Sequence, residues 1–147
     1  MGTSLGDVLD GVASVVDPNK PALIHDDRTI TWQAFDQRTN NLAKNLLDRG
    51  IQYNDKAAAY MRNCPEYLEA VAAAFKSRTV HHNVNFRYTA EELLYLLGIL
   101  MNERNAQQPF PVILTGPAGS EGYFEAIDEF VGATLGKEAQ SKYQVIV

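Results

Sequence analysis

Apolar and polar positions alternate along this chain with two periods, one near 3.6 and one near 2, and the switches between them mark the elements. Leu5, Val8, Leu9, Val12 and Val16 follow helical spacing and predict a short amphipathic helix over 4–16, weakened by Gly6 and Gly11. Pro18 and Pro21 break that pattern. Ala22 to His25 and Arg28 to Ile30 then read as two short strands around an Asp26-Asp27 turn, a small hairpin. Thr31 or Thr29 is placed to cap the next helix, over 32–48, with Phe35, Thr39, Leu42, Ala43 and Leu46 on one face and Gly50 at its C′ position. A strand over 56–61 follows, then a helix over 65–77 capped by Asn63, with Pro65 in its first turn and Leu68, Val71, Ala72 and Phe75 turned inward. A further strand spans 79–84.

The stretch from Tyr88 to Leu97 predicts a helix of another kind. Thr89 is a good N-cap, its hydroxyl able to accept from the amide of Glu91 or Glu92, and both carboxylates lie where the helix dipole favours negative charge. From Leu93 to Met101 the residues are apolar nearly all round, as in a helix buried on several sides, with Gly98 as either a close approach or a weak point. Beyond a polar loop over 102–108, Pro111 to Leu114 reads as a buried strand, residues 121–135 as a helix presenting Phe124, Ile127, Phe130, Val131 and Leu135, and 137–142 as a short helical piece. Tyr143 to Val147 predicts a last strand with no loop after it, the look of a truncated unit. Strands alternating with helices at this spacing imply β-α-β units. The expected fold is a single three-layer α/β domain over 1–147, a mostly parallel sheet with helices on both faces.

Charge changes that picture at one place. Residues 1–88 carry ten basic and ten acidic side chains, whereas 89–147 carry three against eight, so the whole net charge of −5 lies in the second segment. An acidic patch of this kind excludes nucleic acid and anionic membrane as expected partners. No apolar run approaches the roughly 18 residues of a membrane span, and the first residues lack the pattern of a signal peptide, so a cytoplasmic location is expected. Cys64 is the only cysteine, which excludes a disulfide framework.

Two family resemblances divide the chain. P-A-L-I-H at 21–25, R-T-I-T-W-Q-A-F-D at 28–36, L-L-D-R-G-I-Q-Y-N-D-K at 46–56, M-R-N-C-P-E-Y-L-E-A at 61–70 and N-V-N-F-R-Y-T-A-E-E-L at 83–93 resemble the N-terminal part of the adenylate-forming (AMP-binding) acyl-CoA synthetases. That family usually has glycine where Asn54 stands, and often glycine near Ser77-Arg78 and proline near His82. From Thr89 onward, T-A-E-E-L-L-Y-L-L-G-I-L-M-N at 89–102, P-F-P-V-I-L-T-G-P at 109–117, Y-F-E-A-I-D-E-F-V at 123–131 and T-L-G-K-E-A-Q-S-K-Y-Q-V-I-V at 134–147 resemble a segment of the Lonely Guy-type nucleotide 5′-monophosphate nucleosidases. The overlap at T-A-E-E-L-L-Y-L-L implies a chimera joined there.

The resemblances also imply what is missing. The synthetases' phosphate loop, adenine-binding stretch and C-terminal lysine lie downstream of the part matched here, so no ATP turnover and no bound cofactor are expected, with ATP, AMP or CoA the candidates by resemblance. The nucleosidase signature P-G-G-x-G-T-x-x-E is matched at Thr89 and Glu92, but Asn83 to Tyr88 replace its phosphate cradle. No catalytic residue is therefore assigned. The nucleotide or anion candidates are Thr89 and Glu92 together with Gly116, Gly119 and Ser120, which follow a strand and precede a helix. Against them stands the plainer reading of Glu91 and Glu92 as first-turn helix charge. His81 and His82 point to opposite faces of a strand and lack a third ligand, so no metal is expected; Cys64 lacks a base at motif spacing and reads as a half-buried loop residue. An open sheet edge or the apolar central helix would support self-association, which makes a homo-oligomer a further partner class.

Overall fold

In the computed structural model, the residues described are 2–89, 91–93, 95–96, 112–116, 121–135 and 143–146. The first segment forms α1 (Leu5–Val15), β1 (Pro21–His25), β2 (Arg28–Thr31), α2 (Trp32–Asp48), β3 (Lys56–Tyr60), α3 (Pro65–Lys76) and β4 (Val80–Val84). Residues 91–93 and 95–96 are helical, and β5 (Val112–Thr115), α4 (Glu121–Leu135) and β6 (Tyr143–Ile146) follow. The expected loop over 102–108, the piece over 137–142 and Gly98 lie outside the described residues.

β1 and β2 pair antiparallel through the Asp26-Asp27 turn. The other four strands make one parallel sheet in the order β4-β3-β5-β6. Strand β3, K-A-A-A-Y, is therefore central, and its three alanines are buried. Ala57 packs with Leu46 of α2 and Ala73 and Ala74 of α3, and Ala59 packs with Ala70. On the opposite face, the Tyr60 ring meets Phe124 of α4 edge-on at 6.2 Å. Helices thus cover both faces, as right-handed crossovers running outward in opposite directions from β3 and β5 require.

Local chemistry sets the helix ends. Ser4 and Asp7 form a reciprocal capping box on α1, and the Thr31 hydroxyl accepts from Ala34 N–H at the start of α2, which resolves the choice between Thr31 and Thr29. Gly50, with φ +90°, supplies the left-handed residue past the end of α2. The expected Asn63 cap on α3 is wrong by one residue: Cys64 occupies the cap position and makes no side-chain capping bond. Pro65 at N1 forces its predecessor out of the helical region, so the boundary falls at the residue before it. Two of the turn positions where glycine is usual in the resembled family are left-handed here, with Asn54 at φ 67° and Arg78 at φ 60°. Asparagine tolerates that conformation better than arginine does.

Burial departs from the expected stripes on three helices. On α3 the buried face is Glu69, Ala70, Ala72, Ala73 and Ala74, whereas Leu68 is exposed and Val71 and Phe75 are half-buried. A helix held between a sheet and another helix needs small residues on its two covered sides, and the larger residues go to the margins. On α1 only Gly6 is fully buried. On the central helix Leu93 is fully buried, but Tyr95 is 75% exposed, so an all-round burial of this helix does not hold at that position.

Candidate functional site

Because β3 is flanked by β4 on one side and β5 on the other, successive connections leave this pair in opposite directions. Such a switch point opens a crevice at the C-terminal ends of the strands, where α/β folds bind ligands. Gly116 follows β5 directly, and Thr115 pairs with Ala59, one residue before the end of β3. Tyr60, the last residue of β3, donates its phenolic hydrogen to the Tyr88 carbonyl at 2.7 Å. That bond ties the loop before Thr89 to the same end of the sheet. Thr89, Glu92 and Gly116 therefore share the C-terminal edge; Gly119 and Ser120 lie outside the described residues.

Thr89 and Glu92 engage each other. The Thr89 N–H donates to a Glu92 carboxylate oxygen at 2.7 Å, and the Glu92 N–H donates to the Thr89 hydroxyl at 3.3 Å. This reciprocal capping box satisfies two donors of the helix N-terminus. A cleft of about 400 Å³ opens beside it, lined by Tyr88, Glu91, Glu92, Tyr95 and Leu96. The cations at this edge follow β3 and β4. The guanidinium groups of Arg62 and Arg87 stand 5.5 and 5.4 Å from the centroid of the Phe86 ring.

Tyr60 and Phe86 were not singled out in the sequence. A tyrosine closing a buried alanine strand is the signal that could have found the first, since a buried phenol needs a partner for its hydroxyl. Replacing Tyr60 with phenylalanine should cost about 1 kcal/mol of stability, measured by urea unfolding. An unchanged midpoint would mean that water replaces the bond.

The remaining candidates sit apart from this edge. Cys64 is half-buried at the start of α3, and burial pushes its thiol up, which disfavours the thiolate. His81 faces α3, its Nε2 3.2 Å from the Tyr67 hydroxyl and its ring edge-on to Tyr67. Its buried Nδ1 has no hydrogen-bond partner among the described residues. Burial first, and then the neighbouring His82, push His81 below the ordinary histidine value. The folded chain thus binds fewer protons at this ring than the unfolded chain once pH falls below roughly 6.5. Stability should fall between pH 7 and 5, and His81→Phe should flatten that slope in urea titrations; an equal slope in both proteins would assign the proton elsewhere. Among the described residues no three histidine, cysteine or acidic side chains are grouped to hold a metal ion. Nor is any described helix long and apolar enough to cross a membrane.

The model of the family described as AMP-binding enzyme matches residues 12–98. The chain belongs to this family. It is 36% identical over 96 residues to the 3-oxocholest-4-en-26-oate–CoA ligase of Rhodococcus rhodochrous, a match covering 65% of this chain and 17% of the ligase. It is also 59% identical over 59 residues to the pyrimidine/purine nucleotide 5′-monophosphate nucleosidase of Escherichia coli strain K12, covering 40% of this chain and 13% of the nucleosidase. The segment from Thr89 to Val147 has that same number of residues. The chain spans under a fifth of the length of these curated relatives. Among solved structures, the anthranilate CoA ligase AuaEII in complex with anthranoyl-AMP superposes with a TM-score of 0.72 at 15% identity, over 97% of this chain and 24% of that one. ATP-bound MatB from Rhodopseudomonas palustris superposes at 0.67 with 21% identity, over 97% of this chain and 25% of that one. These two establish the fold. The family match and the ligase relative together make the first segment related to the AMP-binding enzymes and acyl-CoA-ligase-like, with a nucleosidase-like relationship beside it.

Proposed function

We propose that this chain is one composite α/β domain without catalytic activity, in which 1–88 is of acyl-CoA synthetase origin and 89–147 of nucleotide nucleosidase origin. The observation that carries this reading is the capping box. Glu92, the one acidic residue that matches the nucleosidase signature, spends its carboxylate on the Thr89 amide. What the second segment contributes is structural: β5 pairs in parallel with β3 and β6 with β5, so that β3 becomes a central strand. Were the chain active, the reaction would be adenylation of a carboxylic acid by ATP and transfer to CoA. ATP–pyrophosphate exchange with a mixed set of carboxylic acids is expected to stay at the blank. Exchange above the blank would overturn the reading. A cytoplasmic location belongs to the same reading, in keeping with a sequence that carries a single cysteine.

A second reading is favoured by one observation, the placement of Arg62, Arg87, Thr89 and Gly116 just beyond the C-terminal ends of the parallel strands. In that reading the edge binds a nucleoside monophosphate, the guanidinium groups facing the phosphate. Thermal melts with AMP, ATP, CoA and other nucleoside monophosphates separate the two. A ligand at 100-fold excess over its dissociation constant adds about 2.7 kcal/mol to the folded state. No shift with any ligand is expected from a structural domain. A shift with AMP that disappears in Glu92→Ala would establish the monophosphate site instead.

A further inference from the structure

Helix α1 lies across α3 and α2 as a strap. Of its eleven residues only Gly6 is fully buried, against the backbone of Phe75 and Lys76. Leu9 packs on the cluster of Ile30, Phe35 and Ala72, and Ala13 borders a groove beside Trp32. Leu5, Val8 and Val15 form an outer stripe, 58%, 50% and 82% exposed. The remaining attachment is charge. Asp7 accepts from the Arg78 guanidinium at 3.0 Å, and the Asp10 carboxylate stands 3.4 Å from the Lys76 ammonium. The side chains of Asp7, Arg78 and Asp10 are 46%, 50% and 62% exposed, so dissolved salt reaches both pairs.

The backbone lets α1 move as one piece. Its N-terminus is capped from within, by Ser4 and Asp7. Val16 leaves the helix in an extended conformation, and Asp17 begins a turn of its own, its carboxylate accepting from Asn19 N–H at 2.9 Å and its carbonyl from Lys20 N–H at 3.0 Å. Among the described residues, the first backbone bond from this segment to the rest of the fold is the one that Gln33 N–H donates to the Pro18 carbonyl at 3.0 Å. Beneath the strap, the Lys76 side chain is only 6% exposed, yet it keeps Asp36 at 2.7 Å and Asn40 at 2.8 Å when Asp10 leaves. Opening therefore strands no buried charge. We infer that α1 is a charge-latched strap that swings about Val16-Asp17 as ionic strength rises, uncovering Lys76 and the apolar surface of Phe35 and Ala72 while the sheet stays folded.

Hydrogen exchange of the full chain, read by mass spectrometry on peptides over α1 and β3, tests this. Raising sodium chloride from about 0.1 M to about 1 M shortens the screening length from roughly 10 Å to roughly 3 Å. Exchange over α1 is expected to quicken about threefold or more as the two exposed pairs weaken, at constant protection of β3. The double variant Asp10→Asn with Arg78→Gln removes both pairs and leaves the Ser4–Asp7 capping box in place. Its α1 is expected to exchange fast at both salt levels. A parent chain whose α1 exchanges at one rate in both salts, slow or fast, would overturn the inference. So would quickening of α1 and β3 together, or a salt effect that persists in the double variant. Should β3 lose protection in that variant, Asp10→Asn alone decides, since its position is exposed: a salt effect smaller than the parent's is expected, and an equal one would overturn the latch.

Discussion

Arg38→Ala is expected to lower the unfolding free energy by about 3 kcal/mol, because it removes the bidentate partner of a buried carboxylate. Glu69 sits on the buried side of α3, its side chain 8% exposed, and Arg38 reaches it from α2 with two parallel bonds of 2.6 and 2.9 Å. The Glu69 bond, opposed by some burial, raises the Arg38 guanidinium above its usual value. The figure is at the low end for a broken buried pair because the arginine side chain is itself half exposed and water reaches it. A double-mutant cycle separates pairing from packing. Glu69→Gln alone leaves a smaller deficit, and adding it to Arg38→Ala should recover part of the loss, since no charge is then left buried. Urea midpoints with unchanged slopes give the readout. An Arg38→Ala protein within about 0.5 kcal/mol of the parent would show that the pair behaves as a surface one.

Gly6→Val is expected to cost about 2 kcal/mol and to detach α1 from α3. A Cβ at position 6 would stand 2.7 Å from the Phe75 carbonyl oxygen and 3.0 Å from the Lys76 Cα, both backbone atoms that cannot rotate aside. Moving α1 away also separates Asp7 from Arg78 and Asp10 from Lys76. The paired control is Gly11→Ala, where nothing stands within 4 Å of the added carbon. There the gain in helix propensity of up to about 1 kcal/mol should appear as added stability. Opposite signs at two glycines five residues apart in one helix would locate the close approach. A stabilised Gly6→Ala protein would contradict it. Hydrogen exchange over residues 5–15 reports the detachment directly, as faster exchange in Gly6→Val at constant protection of β3.

Most of the secondary structure was legible because local signals carry it. Thr31 three residues before the amide from which its hydroxyl accepts, Gly50 after a periodic stripe, and the Asp26-Asp27 pair between two short strand-forming runs each encode one boundary through hydrogen bonds made within a few residues. The parallel sheet followed from the order of elements, since strands separated by helices have few other ways to pair. The cap of α3 was misplaced because the steric effect of Pro65 on its neighbour outweighs the better capping side chain of Asn63.

The candidate site was legible only as separate pieces. Thr89 and Glu92 declare a capping pair by their spacing, and Gly116 follows a strand, but nothing in the chain order brings positions 60, 88 and 116 to one end of a sheet. That proximity comes from β5 pairing on β3 rather than on β4, a choice made by packing between segments far apart in sequence. The same holds for burial. Periodicity gave α1 and α3 apolar faces without saying which side is covered, because a helix buried on two sides and a helix with one open side share a pattern. The sequence by itself thus determined most of the described elements and their ends, the two family resemblances and the uneven charge. Only the tertiary structure decided that Glu69 is buried and Leu5 is not, and that the outer stripe of α1 faces solvent, because burial depends on which neighbours arrive.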